Sequence, residues 1–370
     1  MTSLDDLPIR DDLRGRTPYG APQQAVPVAL NVNENTHPIP EDVAHDIVAR
    51  VAAAILTLNR YPDREFTELR RALAGYLGHG LDESRIWAAN GSNEVLQHIL
   101  QAFGGPGRTA LGFAPTYSMY GLLASGTGTT WVTAERDDEF ELSAETAVAA
   151  VREHDPDIVL LCAPNNPTGT PLSLETIIAV ADAASGIVVV DEAYFEFAEA
   201  DGQGFESMIG EVERYPNLVV LRTFSKWAGL AGLRIGYGVF PAEVSQHLWK
   251  LKPPFNVNVA ALVAMRAALD DRAHLLGTVK KIVAERDRLM TDLPKTRLLR
   301  PHPTRANFIL CDVNGMDGRA LTDRLADEGI LVRHYGSPRL RNCIRISVGR
   351  PEQNDVLLAT LTKIADEIGV

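Results

Sequence analysis

The chain has 370 residues, of which 45% are hydrophobic and 23% charged, a composition ordinary for a folded globular protein and a length that favours two domains. Its formal net charge of −12 argues against nucleic acid as a partner, since phosphate contacts require clustered lysine and arginine. The acidic first residues lack an apolar signal core and the longest apolar runs are strand-length, so we expect a cytoplasmic protein outside membranes. The three cysteines are far apart and match no zinc-binding spacing, which predicts reduced thiols and no metal site.

The first 40 residues are rich in Pro, Asp and Arg and show no sustained periodicity, so we interpret them as an N-terminal arm with a short extended piece at 30–35. After residue 40, helical periodicity alternates with short apolar runs. This alternation is typical of a mostly parallel sheet that helices cover on both faces. The predicted helices span 41–58, 65–77, 95–103, 115–122, 143–152 and 174–184. The predicted strands span 86–89, 109–112, 131–133, 158–162, 187–190, 218–221 and 233–239.

The alternation of short strands and helices ends near residue 259. Two long helical patterns, 259–269 and 272–293, lead into a smaller region. In that region we predict strands at 308–311, 330–333 and 344–347 and helices at 318–328 and 354–368. The predicted fold is therefore α/β, with an N-terminal arm (1–40), a large domain (41–275) and a small C-terminal domain (276–370).

The stretch Thr223-Phe224-Ser225-Lys226 follows the apolar strand predicted at 218–221, and Arg234 comes eight residues after the lysine. A lysine at the end of a buried strand is a poor packing residue, because its ammonium must be desolvated. Desolvation also lowers the pKa of a lysine and leaves a nucleophilic amine that forms Schiff bases. The two hydroxyls and Arg234 are natural partners of a phosphate. A surface lysine after a strand is the plain alternative.

Polar residues follow three further predicted strands. Each has an ordinary structural explanation by itself, as a helix start, a turn or a helix cap. Because the carboxyl ends of parallel strands meet at one edge, where ligands of open α/β sheets bind, we expect these residues to share one site. They are Gly91, Ser92 and Asn93 before a helix, Asn166 in the turn at 165–169, and Asp191 with Tyr194 after the strand at 187–190.

Arg345 lies within the alternating apolar strand predicted at 344–347, with Arg333 nearby in sequence. If Arg345 points inward it requires an anion, because an unpaired buried guanidinium is very unfavourable, whereas a solvated strand face is the plain alternative. The whole set predicts a ligand with a phosphate, a basic ring nitrogen, a phenolic oxygen and a carbonyl that reacts with a lysine. Pyridoxal 5′-phosphate has all four, and its protonated ring stabilises carbanions.

These stretches resemble the fold-type I pyridoxal-phosphate aminotransferases, and among them they are most similar to the histidinol-phosphate aminotransferases. The likeness covers nearly the whole chain and includes residues 19–22, 33–35, 60–62, 87–94, 165–169, 191–194, 222–226 and 306–308.

The resemblance implies a role for each matching residue. Lys226 is expected to form the Schiff base with the cofactor and to carry the substrate's proton, while Asp191 keeps the ring nitrogen protonated. The other expected cofactor contacts are Asn166 and Tyr194 to the phenolic oxygen, Tyr117 stacked on the ring, and Gly91, Ser92, Asn93, Thr223, Ser225 and Arg234 around the phosphate. Tyr61 is expected to reach the cofactor phosphate of a partner subunit, which implies a homodimer. The expected substrate contacts are Tyr19, Asn35, Arg333 and Arg345.

The implied activity is the interconversion of histidinol phosphate and 2-oxoglutarate with imidazole acetol phosphate and glutamate, a ping-pong transamination of histidine biosynthesis. Departures from the family pattern at Trp227, Phe255 and 334–342 lie near the expected substrate side. They leave open a second activity, that of an aromatic amino acid aminotransferase, in which Arg345 would bind the carboxylate of the amino acid. A phosphate-ester amino acid decarboxylase on the same fold is a further alternative. A non-catalytic regulator would need a DNA-binding domain, for which we expect no room.

Overall fold

The structure, a computed structural model, describes residues 7–15, 20 and 23–370. The α-helices in this part of the chain are α1 Glu41–Ile55, α2 Thr67–Leu77, α3 Ser92–Phe103, α4 Met119–Gly126, α5 Ala144–His154, α6 Leu174–Ala183, α7 Phe195–Ala200, α8 Ala242–Leu248, α9 Val259–Asp270, α10 Arg272–Asp292, α11 Gly318–Asp327 and α12 Pro351–Ile368. The strands are β1 Val28–Ala29, β2 Ile86–Ala89, β3 Thr109–Ala114, β4 Thr130–Glu135, β5 Ile158–Cys162, β6 Ile187–Asp191, β7 Leu218–Thr223, β8 Gly236–Val239, β9 Leu299–Pro301, β10 Phe308–Val313, β11 Ile330–Leu331, β12 Arg333–His334 and β13 Cys343–Ser347.

Seven strands form the central sheet, in the order β2-β8-β7-β6-β5-β3-β4. Strand β8 runs antiparallel to its neighbours β2 and β7, and the other pairs are parallel. The predicted α/β fold with a mostly parallel seven-stranded sheet is therefore confirmed. The carboxyl ends of β2, β3, β5, β6 and β7 lie at one edge of the sheet, and β8 begins at that edge.

Both faces of this sheet are buried, which explains why its strands are apolar without alternation. On β6, Val188 and Val190 pack into the hydrophobic cluster on one face, and Ile187 and Val189 pack into the cluster on the other. A strand covered on both faces has no solvent side on which polar residues are favoured. In the fully buried central strands β5, β6 and β7, the polar residues Asp191, Arg222 and Thr223 consequently lie at the carboxyl ends.

The C-terminal region contains a second, antiparallel sheet with the order β12-β13-β10-β9. The N-terminal segment is attached to this region, because β1 pairs with β11 and the Ser347 N–H donates to the Leu30 carbonyl oxygen at 2.9 Å. The extended piece predicted at 30–35 forms no strand, since Asn33 has a φ of 53°. The domain boundary near residue 275 falls inside α10 and stays a prediction.

The predicted boundaries agree with the structure to within three residues, except for the helix predicted at 115–122, which lies four residues later. The helix predicted from residue 115 begins at Met119, because Asn165 holds the preceding loop through the Thr116 hydroxyl, which donates to it at 3.1 Å, and the Pro115 carbonyl, which accepts at 3.0 Å. The strand predicted from residue 233 begins at Gly236, since Arg234 has a φ of 54°. Among the described residues, no helix is long and apolar enough to cross a membrane.

Candidate active site

A cavity of about 400 Å³ lies where the central strands end. Most of the predicted site residues line it. They are Ser92, Asn93, Tyr117, Asn166, Asp191, Tyr194, Thr223, Ser225, Lys226, Arg234, Arg333 and Arg345. The structure therefore brings these residues to one cavity, as we expected, although they are up to 253 positions apart in sequence (345 minus 92).

Lys226 faces this cavity from the loop after β7. Burial lowers the pKa of its amine to about 8, and the positive charge of Arg345 acts in the same direction. Asp191 opposes the shift only weakly. About a tenth of the amine is consequently neutral at pH 7, far more than for an ordinary lysine, and the neutral form is the nucleophile that attacks a carbonyl.

Asp191 ends β6 and faces the same cavity. Its Oδ1 accepts the Ala193 N–H at 3.2 Å, and burial raises the pKa of its carboxyl to about 6. The carboxylate is therefore mostly ionised at neutral pH. A buried anion of this kind suits a cationic ring nitrogen, which would lower the pKa of the carboxyl further.

Gly91 and Gly236 form a cradle with the Arg234 side chain and the start of α3. Gly91 has a φ of 85°, and a Cβ added there would lie 2.7 Å from Arg234 Nη2. A Cβ on Gly236 would lie 2.2 Å from the Ser92 nitrogen. The glycines thus keep open a space that a helix N-terminus, an arginine and two hydroxyls surround.

Two of those groups are already oriented within the cradle. The Thr223 hydroxyl donates to Ser225 Oγ at 3.0 Å and accepts the Ser225 N–H at 3.1 Å. Helix N-termini, hydroxyls and an arginine are the donors that proteins use to hold phosphate. The donor set therefore fits the phosphate of the predicted cofactor, with Gly91 acting through the space it leaves rather than by lining the cavity.

Three side chains meet at the Tyr194 hydroxyl. The Asn166 Nδ2 donates to its oxygen at 3.3 Å, and the Asn33 Nδ2 donates at 3.1 Å. Burial raises the pKa of Tyr194 well above its ordinary value, so that the hydroxyl stays protonated and remains a donor. Asn33 was not among the predicted site residues, although it lies in the Asn-rich stretch that was quoted for the resemblance.

Arg345 is the most unusual charge in the cavity. It is 7% exposed and its Nη1 and Nη2 donate to Asn166 Oδ1 at 2.6 Å and to the Asn31 carbonyl at 3.1 Å. Its Nε has no partner, and no carboxylate lies within salt-bridge distance of it among the described residues. Of the two orientations that the sequence left open for Arg345, the structure shows the inward one. A buried guanidinium that only neutral groups satisfy is a site prepared for an anion.

The remaining substrate-side predictions fare differently. Arg333 lines the cavity, and its Nη1 donates to the Gly20 carbonyl at 3.1 Å. Tyr19 lies outside the described residues. Asn35 does not line the cavity, since its Nδ2 donates to the Trp227 carbonyl at 3.2 Å. The same segment instead presents three other residues, Asn31, Asn33 and Glu34.

Two of the departures from the family pattern also lie away from the cavity. Trp227 is fully buried and its ring packs 5.2 Å from that of Phe224. Phe255 stacks on Tyr61 with ring centroids 4.7 Å apart and does not line the cavity. Neither ring lines the cavity of this chain, and their expected position on the substrate side stays a prediction.

The chain matches the family described as aminotransferase class I and II over residues 26–361, and it belongs to that family. It is 48% identical over 370 residues to the histidinol-phosphate aminotransferase of Paenarthrobacter aurescens strain TC1, which covers 99% of this chain and 97% of that relative. Identity to the histidinol-phosphate aminotransferase of Thermobifida fusca strain YX is 47%, over 95% of this chain and 94% of that one. A crystal structure of histidinol-phosphate aminotransferase from Sinorhizobium meliloti, in complex with pyridoxal-5′-phosphate, superposes with a TM-score of 0.84 at 30% identity, covering 93% of this chain and 92% of that one.

Proposed function

We propose that this aminotransferase uses pyridoxal 5′-phosphate to interconvert histidinol phosphate and 2-oxoglutarate with imidazole acetol phosphate and glutamate. The observation that carries the proposal is that Lys226, Asp191 and Arg345 face one cavity. Each has the chemical state that the reaction requires: an amine with a lowered pKa, a buried carboxylate and a buried guanidinium that pairs with no carboxylate of the described residues. The names of the close relatives support the substrate.

The chain's own residues divide the work within the cavity. When bound, the cofactor supplies a protonated ring that accepts the electron pair released at the substrate's α-carbon. Lys226 Nζ, which has a pKa of about 8, takes and returns the proton of that carbon. Asp191 provides the negative charge for the ring nitrogen, and Tyr194 and Asn166 donate to the phenolic oxygen. Thr223, Ser225 and Arg234 hold the phosphate.

Arg345 serves both halves of the reaction. Its planar donor set matches a carboxylate and a phosphate oxygen pair equally well. We infer that it binds the carboxylate of glutamate in one half and, together with Arg333, the phosphate of histidinol phosphate in the other. One arginine for two anions is what a ping-pong enzyme with two dissimilar substrates requires.

We further propose a homodimer in which Tyr61 of each subunit reaches the cofactor phosphate bound by its partner. Tyr61 is 80% exposed, and apolar side chains on and after α1 are also exposed, with Leu56 at 86%. An exposed apolar group of this kind is typical of an interface. The three cysteines are buried and free, which fits a reducing compartment, and we place the enzyme in the cytoplasm.

The direct test is product identification with purified, cofactor-loaded protein. Histidinol phosphate and 2-oxoglutarate should yield imidazole acetol phosphate and glutamate, and the Lys226→Ala variant purified in parallel controls for contaminating transaminases. Phenylalanine and tyrosine, offered at the same concentration, should be poorer amino donors. A preference for either aromatic amino acid would support the aromatic aminotransferase instead, and release of carbon dioxide from an amino acid would support a decarboxylase.

A further inference from the structure

Tyr120 is a buried tyrosine whose hydroxyl is directed at Asp191. Its O–H donates to Asp191 Oδ2 at 2.9 Å, and the residue is 1% exposed. Among the residues that the structure describes, it is the side chain that donates a hydrogen bond to this carboxylate, while the Ala193 N–H holds the other oxygen. Both oxygens of Asp191 are therefore fixed, with lone pairs left over for the cavity.

Packing fixes the Tyr120 ring in this position. The ring stands edge-on to Tyr117, with centroids 5.4 Å apart, and to Trp131, with centroids 6.4 Å apart. Trp131 reaches this place because two neighbours are glycines: a Cβ on Gly121 would lie 3.0 Å from its ring, and a Cβ on Gly112 would lie 2.3 Å from it. The same short stretch of chain therefore contains Tyr117, which is expected to stack on the cofactor ring, and Tyr120, which donates to Asp191.

We propose that Tyr120 is a positioning residue for the reaction, which keeps Asp191 ionised and aimed at the ring nitrogen of the cofactor. The inference rests on the role proposed for Asp191. Tyr120 does not line the cavity, and it acts through the carboxylate by a charge-assisted hydrogen bond.

The other side chains around Asp191 contribute less than Tyr120 to keeping its carboxylate ionised. Cys162 lies beside both residues, but burial raises the pKa of its thiol to about 12, so that it stays neutral. The neighbouring Glu192 carboxylate accepts from Arg222 at 2.8 Å, and its charge works against ionisation of Asp191. Lys226 favours ionisation, but less than the hydrogen bond from Tyr120 does. Burial also raises the pKa of Tyr120 well above its ordinary value, so the hydroxyl remains a donor.

The test measures the affinity of the ligand-free protein for pyridoxal phosphate by absorbance or fluorescence titration over a series of pH values. A protonated ring binds best to ionised Asp191, so the affinity falls as the pH decreases through the pKa of that carboxyl. Tyr120→Phe removes a donor that lowers this pKa. We expect about tenfold weaker binding near neutral pH, the usual effect of one hydrogen bond to a charged group. The fall in affinity at low pH, here called the acid limb of the pH profile, should occur at a higher pH than in the wild type.

Two variants serve as controls. Tyr237→Phe removes a buried hydroxyl that has no hydrogen-bond partner among the described residues, and it should leave both the affinity and its pH dependence unchanged. Asp191→Asn should weaken binding and abolish the acid limb that the carboxyl causes. If Asp191→Asn has no effect, the role proposed for Asp191 fails. If Asp191→Asn has its effect but Tyr120→Phe binds and titrates like the wild type, only the inference about Tyr120 is overturned.

A second measurement leaves Tyr120 intact and covers the case in which Tyr120→Phe does not fold. With tyrosine labelled by carbon-13 at Cζ, Asp191→Asn replaces the charged acceptor of the Tyr120 hydroxyl by a neutral one. A tyrosine resonance should therefore shift between wild type and Asp191→Asn in the ligand-free protein. Identical tyrosine spectra would contradict the hydrogen bond on which the inference depends.

Discussion

The two sides of the cavity are built in different ways. On the cofactor side, Asp191 and Thr223 end neighbouring strands of one sheet that is buried on both faces, and Lys226 follows three residues later. On the substrate side, Arg345 comes from the C-terminal sheet and donates to the Asn31 carbonyl, 314 residues earlier in the chain. The first side depends on local chain geometry within a rigid sheet, and the second depends on contacts between distant segments. Substitutions on the two sides should therefore have separable consequences.

The largest effect is expected on the cofactor side. Lys226→Ala removes the group that moves the substrate proton, so both half-reactions should slow by about 10³-fold or more. Single-turnover rates with histidinol phosphate and with glutamate measure this. Lys252→Met is the matched control, because Lys252 is also a buried lysine but lies beside Phe66 and outside the cavity. Near-normal turnover by Lys226→Ala would contradict the account.

The substrate side should respond differently to Arg345→Lys. The charge is kept but the planar fork is lost, so kcat/KM should fall by about 10²-fold for both amine substrates. Because Arg345 is assigned to substrates, the affinity for the cofactor should change little. Arg300→Lys on the same sheet, where Arg300 is exposed and paired with Asp312, should leave all three quantities unchanged. Loss of activity toward one substrate alone would show that the anion of the other substrate binds elsewhere.

Tyr61 sharpens the comparison, because we assign it to the cofactor side of the other subunit. Tyr61→Ala should weaken cofactor binding by about tenfold, as expected for one lost hydrogen bond to a charged group. Mixing Tyr61→Ala with Lys226→Ala under exchange conditions should restore activity, since one site of each mixed dimer then has both residues. The controls are the two variants measured separately and a mixture kept under conditions in which the dimers do not exchange subunits. No recovery after confirmed exchange would place the action of Tyr61 within its own subunit.

The smallest expected effect is a shift in the pH at which the Lys226 amine titrates. In the ligand-free protein, acylation of Lys226 should rise through about pH 8, because its lowered pKa leaves the amine neutral above that value. Mass spectrometry of the Lys226 peptide measures this, and Lys363, whose pKa is raised by its bond to Glu328, is an internal control that reacts at higher pH. Arg345→Gln removes a neighbouring positive charge and should move the Lys226 titration to higher pH. An unchanged titration would mean that the two sides do not interact electrostatically.

The same contrast explains what the sequence predicted. The sheet and the cofactor side followed from apolar runs and from the residues just after them, since the rule for strand ends needs no long-range information. Asn33 and Tyr120 were missed because their roles depend on which distant side chain they meet, Tyr194 and Asp191 respectively. The left-handed turn at Asn33 is not visible in the sequence pattern, so the sequence does not show that Asn33 and Glu34 line the cavity, and the expected substrate contact of Asn35 stays a prediction.

The most direct test of the central claim is a single-turnover comparison of amino donors. Cofactor-loaded protein is mixed separately with histidinol phosphate, glutamate, phenylalanine and tyrosine, and the change in cofactor absorbance is followed with time. The account predicts rapid conversion by histidinol phosphate and glutamate and slow conversion by the two aromatic amino acids. Faster conversion by phenylalanine or tyrosine than by histidinol phosphate would contradict it.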